Sequence, residues 1–550
     1  MATTTRPAAQ PATGTLTGTG GLFKALLRYD GRLLAPWIFI VTFVSASTPV
    51  IFGWLFSSEE DKMVLASSIG SNPALTLIFG TAGDLTTIDG FTVWRGLTLG
   101  GFLTALGIVL AVTRATRAQE DSGQAELLAS GVLGRGARLM APMGLATLAS
   151  LTVGVVAGVV TGLCGASWGT ALLMGAFIGA LLMGATFTAA GWMFGAWAAV
   201  SAQLASDSHL ANNLGIGALA ALFLLRGALD ALDAPAWTSW VNPLGWLSET
   251  RAGEDDARWW PLLSAVVLAV VLCLVAFRLH GSRDFGQGVV ATSPGPDHGL
   301  IRGPWMLTWR LHRGVISVWA VMFLVLGVVF GYMSDSVEDL LSGGGGFAEV
   351  FTGGATDPAL MTRSFLTMML SLAGIIASVP GVQIMNRLRT EEEEFRVEPL
   401  LATPLPRVRM FLAPVGTALL VTGVLILLAG AVVGLFVANG DNGVTFGETL
   451  LQALVTVPAI WAVVGVSVLV IGARPQVAIA AWIGVVASFG LTLLGPTFRL
   501  PDWVLGISPF HNIPTVSSDG ATWTGLTVVG IVALALMVVG LVGYRRRDII

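Results

Sequence analysis

Charged residues that can form ion pairs occur twice in this chain at one spacing. Arg117, Glu120, Glu126 and Arg135 recur 272 positions later as Arg389, Glu392, Glu398 and Arg407. Apolar identities accompany them in the same register, namely Leu128, Leu133, Ala141 and Pro142 with Leu400, Leu405, Ala413 and Pro414. Guanidinium and carboxylate groups so placed bind one another or a partner's charges. The repeat predicts a binding role and a chain of two related halves.

Each copy of the repeat also predicts a local ion pair on a short helix. Arg117 and Asp121 lie four positions apart, as do Arg389 and Glu393, which places each pair on one helix face. Adjacent leucines follow in both copies, so we expect an exposed helix with an apolar patch framed by charge. Such a surface suits docking of a soluble partner, and the alternative is an ordinary solvated loop.

Other kinds of chemistry find little support in the sequence. Lys24 and Lys62 are the only lysines, and neither follows Gly or precedes Ser or Thr, so a phosphate-binding loop with its lysine is absent. The five histidines are scattered without ligand spacing, and Cys164 and Cys273 fall inside apolar runs. The sequence therefore predicts no enzyme, no bound metal and no ATP hydrolysis by this chain alone. The net charge of -4 is segregated along the chain and gives no nucleic-acid-binding face.

The composition of the chain indicates that it folds in a membrane rather than in water. The chain is 54% hydrophobic and 11% charged, with a mean hydropathy of +0.79, which is too little polar surface for a water-soluble globule. Apolar runs of about 20 residues predict membrane-spanning helices. We expect an all-α, polytopic fold of two homologous six-helix halves, with spans near 33–56, 91–113, 139–164, 169–199, 211–232, 259–279, 315–334, 364–385, 411–438, 449–473, 476–498 and 524–543.

The distribution of arginine predicts orientation and boundaries. Most arginines outside the spans fall on one side of this twelve-span arrangement, while the opposite loops are acidic or neutral. The arginine-rich side is then cytoplasmic and both termini lie inside. The 27 arginines against two lysines are typical of a GC-rich bacterial genome, so we expect a multi-pass protein of a bacterial plasma membrane. We expect a disordered tail at 1–19, a first half at 20–285, a linker at 286–304 and a second half at 305–550. Amphipathic helices are expected at 20–32 and 305–313, on the inner leaflet.

A second repeated block lies on the opposite side, before the last span of each half. Pro235, Trp237 and Pro243 have the spacing of Pro501, Trp503 and Pro509. We expect the first proline of each set to break the fifth span, and the tryptophans either to anchor the chain at the interface or to line an outer gate. Arg226 and Asp230 are four apart near the end of span five, so they pair either in an internal cavity or at the membrane interface.

Taken with the six spans per half and the charged loop after span two, these motifs resemble ABC-2 type (type V-like) exporter permeases. The fused chain is similar to tetronasin-type antibiotic and multidrug exporter subunits of actinobacteria. The resemblance implies a separate ABC ATPase subunit, present in two copies, which binds ATP and Mg²⁺. It places the ATPase-coupling helices within 118–132 and 390–404, and it implies that 233–258 and 499–522 are re-entrant segments closing the export path. The expected substrates are amphipathic or hydrophobic drugs and antibiotics.

An ion-coupled secondary transporter is the alternative function, because such proteins also contain twelve spans in two halves. That class would be expected to bury several carboxylates at the middle of the membrane, and the predicted spans contain essentially none there. A receptor or scaffold role is a more distant third.

Overall fold

The computed structural model describes residues 15–55, 62–63, 73–129, 133–165, 172–232, 234–254, 256–284, 286–290, 303–335, 358–438, 444–494, 501–516 and 523–548. These residues form helices and turns, and no β-strand occurs among them. The chain divides into two compact units, Met1–Gly295 and Pro296–Ile550. The all-α prediction is confirmed.

The first unit begins with a short helix and contains six long ones. Its helices are Thr19–Tyr29, Gly31–Leu55, Pro73–Phe79, Ile88–Thr113, the π-helical turn Arg114–Ala118, Gln119–Asp121, Gln124–Ala129, Ala137–Gly165, Leu172–Leu204, Ser208–Ala231, Thr238–Val241, Gly245–Ser248 and Pro261–Ser282.

The second unit repeats this order without a separate helix at its start. Its helices are Pro304–Asp335, Pro358–Glu393, Glu398–Leu401, Arg407–Val437, Phe446–Ala473, the 3₁₀ segment Pro475–Trp482, Ile483–Leu494, Asp502–Leu505, the 3₁₀ turn Pro509–Asn512 and Thr524–Arg546.

Twelve helices in the described residues are long and apolar enough to cross a membrane, six in each unit, and we number them as spans 1 to 12. Each predicted span corresponds to one of them. Span five ends at Ala231, four residues before Pro235. The described part of span eleven ends at Leu494, and residues 495–500 lie outside the described part of the chain, so the break at Pro235 and Pro501 stays a prediction.

The fourth span is the central helix of each unit. Span four packs against spans two, three, five and six, and span ten packs against its counterparts in the second unit. Spans three and four approach so closely that a side chain at Gly154 would collide with the Gly184 carbonyl. A tryptophan on the central helix then bonds a span-three carbonyl in each unit: Trp192 Nε1 donates to Thr147 O at 3.3 Å and Trp461 Nε1 to Leu419 O at 3.1 Å.

The two predicted amphipathic helices differ in form but pack alike. Phe23 of Thr19–Tyr29 lies over Gly144 of span three, and Trp305 lies over Gly416, the equivalent glycine of span nine. A separate helix at 305–313 is not present, because Pro304–Asp335 runs without a break. Proline at its first turn is compatible with this longer helix.

The ends of the predicted tail and linker are partly held by the first unit. Gly134 N donates to Thr17 O at 2.9 Å and Gly136 N to Thr15 O at 2.8 Å, so part of the predicted tail is ordered. Residues 286–290 return to the end of span four, where Val289 N donates to Gln203 O at 3.0 Å. Residues 1–14 and 291–302 lie outside the described part of the chain.

Candidate functional site

The charged loops begin as extensions of the second span in each unit. The helix of span two continues through Asp121, and that of span eight through Glu393. Each helix then ends at a residue with left-handed backbone, Gly123 at φ 74° and its equivalent Phe395 at φ 57°. Glycine takes this conformation freely, whereas phenylalanine is strained in it. A short helix follows in both units, at Gln124–Ala129 and Glu398–Leu401.

A buried ion-pair cluster joins the first loop to the end of span six. Arg283 donates two hydrogen bonds to Glu120. The distances are 2.9 Å from Nη1 to Oε2 and 2.6 Å from Nη2 to Oε1. Arg117 donates to the same carboxylate at 2.7 Å, and Arg135 donates to the Arg283 carbonyl at 3.4 Å. We call these four residues the first clasp. Three of its members belong to the repeated motif, and the fourth lies 163 positions from Glu120.

The second unit contains the same arrangement, the second clasp, formed by the equivalent residues. Arg547 Nη2 lies 2.7 Å from both oxygens of the buried Glu392. Arg389 Nη1 is 3.9 Å from Glu392, and Arg407 donates to the Arg547 carbonyl at 3.4 Å. The same four residue types make the same contacts in both units, so the clasp is a conserved feature of the two repeats within this chain.

Burial of the clasp corrects part of the exposed-helix prediction. Arg117, Glu120 and Glu392 are enclosed by protein, and their charges are satisfied by residues of the same unit. The prediction is confirmed for Glu126 and Glu398, which are exposed on the short helices. Leu400 and Leu401 are half-buried against the core of the second unit, so this apolar patch is partly occupied by the protein itself.

The local ion pairs predicted from four-residue spacing are present. Arg117 Nε lies 3.7 Å from Asp121 Oδ1, and Arg389 Nη2 lies 2.9 Å from Glu393 Oε1. Glu393 is exposed, and about a third of the Asp121 side chain is accessible. Each loop therefore carries both buried charges, turned into the unit, and accessible acidic groups.

The first loop is also tied to span five. Ser208 N, in the first turn of that helix, donates to Asp121 Oδ2 at 2.6 Å, and Arg117 Nη2 donates to the Ser206 carbonyl. Asp207 caps the same helix by accepting from Leu210 N at 2.9 Å. Partial burial raises the pKa of Asp207, but the hydrogen bonds from Leu210 and Ser206, together with the bond and charge of His209, lower it on balance.

Arg117 also holds the segment that leaves span six. Its Nη2 donates to Gly286 O at 3.0 Å and its Nη1 to Gln287 O at 3.4 Å. The first loop, the start of span five and the end of span six thus share one network of bonds.

The outer segment of the first unit folds back along span five. Asn242 is buried, donates to Leu222 O at 2.7 Å and accepts from Leu244 N at 3.0 Å. Leu222 lies nine residues before the end of its helix, which corresponds to about 13 Å along the axis. Trp246 Nε1 donates to Trp240 O at 2.8 Å and closes the turn between the two short helices.

The second unit builds the same turn from other residue types. Asn512, equivalent to Trp246, donates to Gly506 O at 3.0 Å, and Ser508, equivalent to Asn242, lies 3.0 Å from the Thr492 hydroxyl. Phe510 is buried against Gly374, near the middle of span eight. Both outer segments therefore reach back toward the arginine-rich side within their own unit.

Arg226 and Asp230 form the predicted pair, with 3.3 Å between Nη1 and Oδ2. Arg226 is only 4% exposed, whereas the Asp230 side chain is 20% exposed. The guanidinium also donates to Thr98 Oγ1 at 3.3 Å and Ser248 Oγ at 3.4 Å, so it joins spans two and five to the outer segment. The protein interior, rather than an open surface, surrounds the arginine.

The repeated prolines and tryptophans of the outer segments lie at their edges. Trp237 is 66% exposed and Trp503 is 74% exposed, which fits anchoring at an interface better than lining a closed gate. Pro235 and Pro501 are exposed, and Pro243 and Pro509 are half-buried.

Sequence reasoning missed several buried polar residues. Gln203 accepts from Arg283 Nε at 2.6 Å and lies 3.1 Å from His280, so it supports the first clasp from span four. Asn242 and Ser508 hold the outer segments. Their one signal in the sequence is position, since each directly precedes a repeated proline. Among the described residues, no group of three or more His, Cys, Asp or Glu side chains is placed to hold a metal ion.

Comparison with known proteins agrees with this architecture. The sequence model of the family described as "Multidrug efflux system permease Rv1217c, C-terminal domain" matches residues 37–279 and 301–545, one stretch in each unit. The multidrug efflux system permease protein Rv1217c of Mycobacterium tuberculosis is 31% identical over 544 residues, which cover 97% of this chain and 95% of that protein. With twelve candidate spans in two repeated units, this multi-pass membrane protein belongs to the multidrug efflux system permease family.

Proposed function

We propose that this chain is the membrane-spanning subunit of an ATP-driven exporter of amphipathic or hydrophobic drugs and antibiotics. A separate ABC ATPase, in two copies, binds ATP and Mg²⁺ and docks on the loops after spans two and eight. Family membership supports the export of drugs. The arginine-rich side, with these loops and both termini, faces the cytoplasm in this proposal.

The observation that carries the ATPase proposal is the repeated, exposed glutamate on a short helix in each unit. Glu126 and Glu398 stand at equivalent positions and are exposed. Exposed acidic charge on a short helix suits docking to a basic partner surface. Two equivalent surfaces suit two copies of one partner.

Acidic residues of the spans favour the exporter over the ion-coupled alternative. Every Asp or Glu of the described spans lies within three residues of a span end, and none lies at mid-span. Glu120, Glu392 and Asp230 are further neutralised by arginine. A carrier that couples to protons would be expected to place carboxylates inside the membrane, where they mark proton relays.

A transport assay with separate energy sources tests the proposal. Inverted vesicles containing this chain and its co-purified ATPase should accumulate the fluorescent amphipathic cation rhodamine 6G with ATP, and an uncoupler should leave uptake intact. The chain purified alone should hydrolyse no ATP, since it lacks a phosphate-binding loop. Uptake driven by an imposed proton gradient without ATP would refute the proposal in favour of the ion-coupled class.

Charge reversal tests the docking surface. Glu126→Arg with Glu398→Arg should weaken ATPase binding about tenfold or more if the glutamates face basic groups that are partly desolvated on docking. Asp502→Arg makes the same change at an exposed site of the outer segment and serves as the matched control. If the double variant binds the ATPase as tightly as the parent, the alternative interpretation of both loops as ordinary solvated loops is correct.

A further inference from the structure

We propose that the two clasps transmit the movement of the docked ATPase into the last span of each unit, with Glu120 and Glu392 as positioning residues. This inference rests on the proposed function, because it needs a partner that moves the loops. The glutamates would not themselves bind the ATPase.

Geometry separates the transmitting residues from the docking residues. Glu120 and Glu392 are enclosed and bonded to arginines at the ends of spans six and twelve, whereas Glu126 and Glu398 are exposed six positions later. A rigid partner pressing on the short helix therefore displaces the end of the last span with it. Buried, charge-assisted bonds resist separation more than solvated ones, since each separated charge would remain out of water.

The movement can also reach the outer side of the first unit, through span five. In the first unit the network also includes the first turn of span five, whose other end carries Arg226 and its bond to Ser248 of the outer segment. A shift of span five as a rigid helix is thus felt at the outer segment of the unit. Coupling of this kind requires a physically continuous path, and every step of this one is a bond or a helix.

The test separates coupling from docking. Glu120→Gln with Glu392→Gln keeps side-chain size and removes the charge, and Glu126→Gln with Glu398→Gln is the matched control on the same loops. In the clasp variant we expect the ATPase to bind within about threefold of the parent affinity, with basal hydrolysis retained and rhodamine 6G transported per ATP reduced at least tenfold. In the control we expect weaker binding, with transport per ATP restored at saturating ATPase.

A conservative pair keeps the test usable if the glutamine variant does not fold. Arg283 holds Glu120 with one nitrogen per oxygen, a fork that lysine cannot supply, whereas Arg547 uses one nitrogen for both oxygens of Glu392, which an ammonium can imitate. Arg283→Lys should therefore lower transport per ATP several-fold more than Arg547→Lys, although both variants keep the charge.

The outcomes are distinguishable from failure of the proposed function. If the parent chain binds no ATPase and transports without ATP, both proposals fall. If the parent is ATP-driven but the clasp variants retain full transport per ATP, only the transmission inference falls. It falls equally if their binding weakens while transport per bound ATPase is unchanged, because the clasp would then merely shape the docking surface.

Discussion

The buried pair of Arg226 and Asp230 offers a sharp test of the packing at the outer end of the first unit. Asp230→Asn leaves a guanidinium that is 4% exposed without its counter-ion. Breaking a buried ion pair on one side costs roughly 3–5 kcal/mol, and since Asp230 is 20% exposed we take the lower end, about 3 kcal/mol. Arg226→Met should cost less, because the remaining carboxylate is close to water.

Replacing both partners should cost little. Arg226→Met with Asp230→Leu removes both charges and fills the space with apolar atoms, a change that is often neutral in protein interiors. We expect the double variant to lie within about 1 kcal/mol of the parent, so the two single effects are strongly non-additive.

Thermal unfolding of the full chain in detergent measures these differences. A loss of 3 kcal/mol corresponds to a midpoint lower by roughly 6–12 °C, scaled from domains of about 150–250 residues. Arg251 and Asp256 form the matched control, an exposed pair 2.8 Å apart, and Asp256→Asn should leave the midpoint unchanged. If Asp230→Asn has the same unfolding midpoint as the parent, the pair is hydrated and the interfacial interpretation is correct.

Three further predictions concern helix packing, backbone strain and the linker. Gly154→Leu should destabilise the first unit by about 1–3 kcal/mol in the same assay, because its side chain meets span four, while Gly217→Leu, with nothing within 4 Å, should not. Phe395→Gly should raise the free energy of unfolding by about 1 kcal/mol, because it relieves a positive φ; an unchanged midpoint would count against strain there. Cutting the chain between Pro294 and Pro296 should leave co-expressed halves that still transport drug, whereas halves that insert yet do not transport would contradict self-contained units.

The spans were predictable because membrane insertion imposes a pattern on every residue. Runs of about 20 apolar residues have few structural solutions in lipid, so their number and order follow from composition. Their ends were less accurate. Span seven extends to Pro304 through a polar stretch, and span two continues through Arg114–Ala118, since helical backbone bonds continue past the apolar region until a left-handed residue or a cap ends them.

The clasps were only half predictable. Repetition identified Glu120 and Glu392 as special, and spacing paired Arg117 with Asp121, but periodicity shows only neighbours on one helix. The partner of Glu120 lies 163 positions away, at the end of span six, so nothing local indicates the contact. Gly123 could be read as a helix end, whereas no rule on residue type would assign left-handed backbone to Phe395.

The last prediction concerns unequal dependence on the two loops. Asp121 and Arg117 bind the first loop to span five as well as span six, whereas the bonds described for the second clasp lead to span twelve. The second loop instead carries acidic residues from Glu391 to Glu394, two of which, Glu393 and Glu394, are about half exposed.

The second loop therefore carries more of the exposed acidic charge proposed for docking, and the first loop makes more of the bonds to the spans. Glu398→Arg should lower drug-stimulated hydrolysis more than Glu126→Arg, because the loop with the longer acidic run would supply more of the attraction to a basic partner. Raising the salt concentration should narrow the difference between the two variants, since interactions between exposed charges are largely screened beyond about 8 Å at physiological ionic strength, and over shorter distances as salt rises. Equal losses that do not respond to salt would show that the acidic run takes no part in docking. The difference between the loops would then reside in their attachment to the spans.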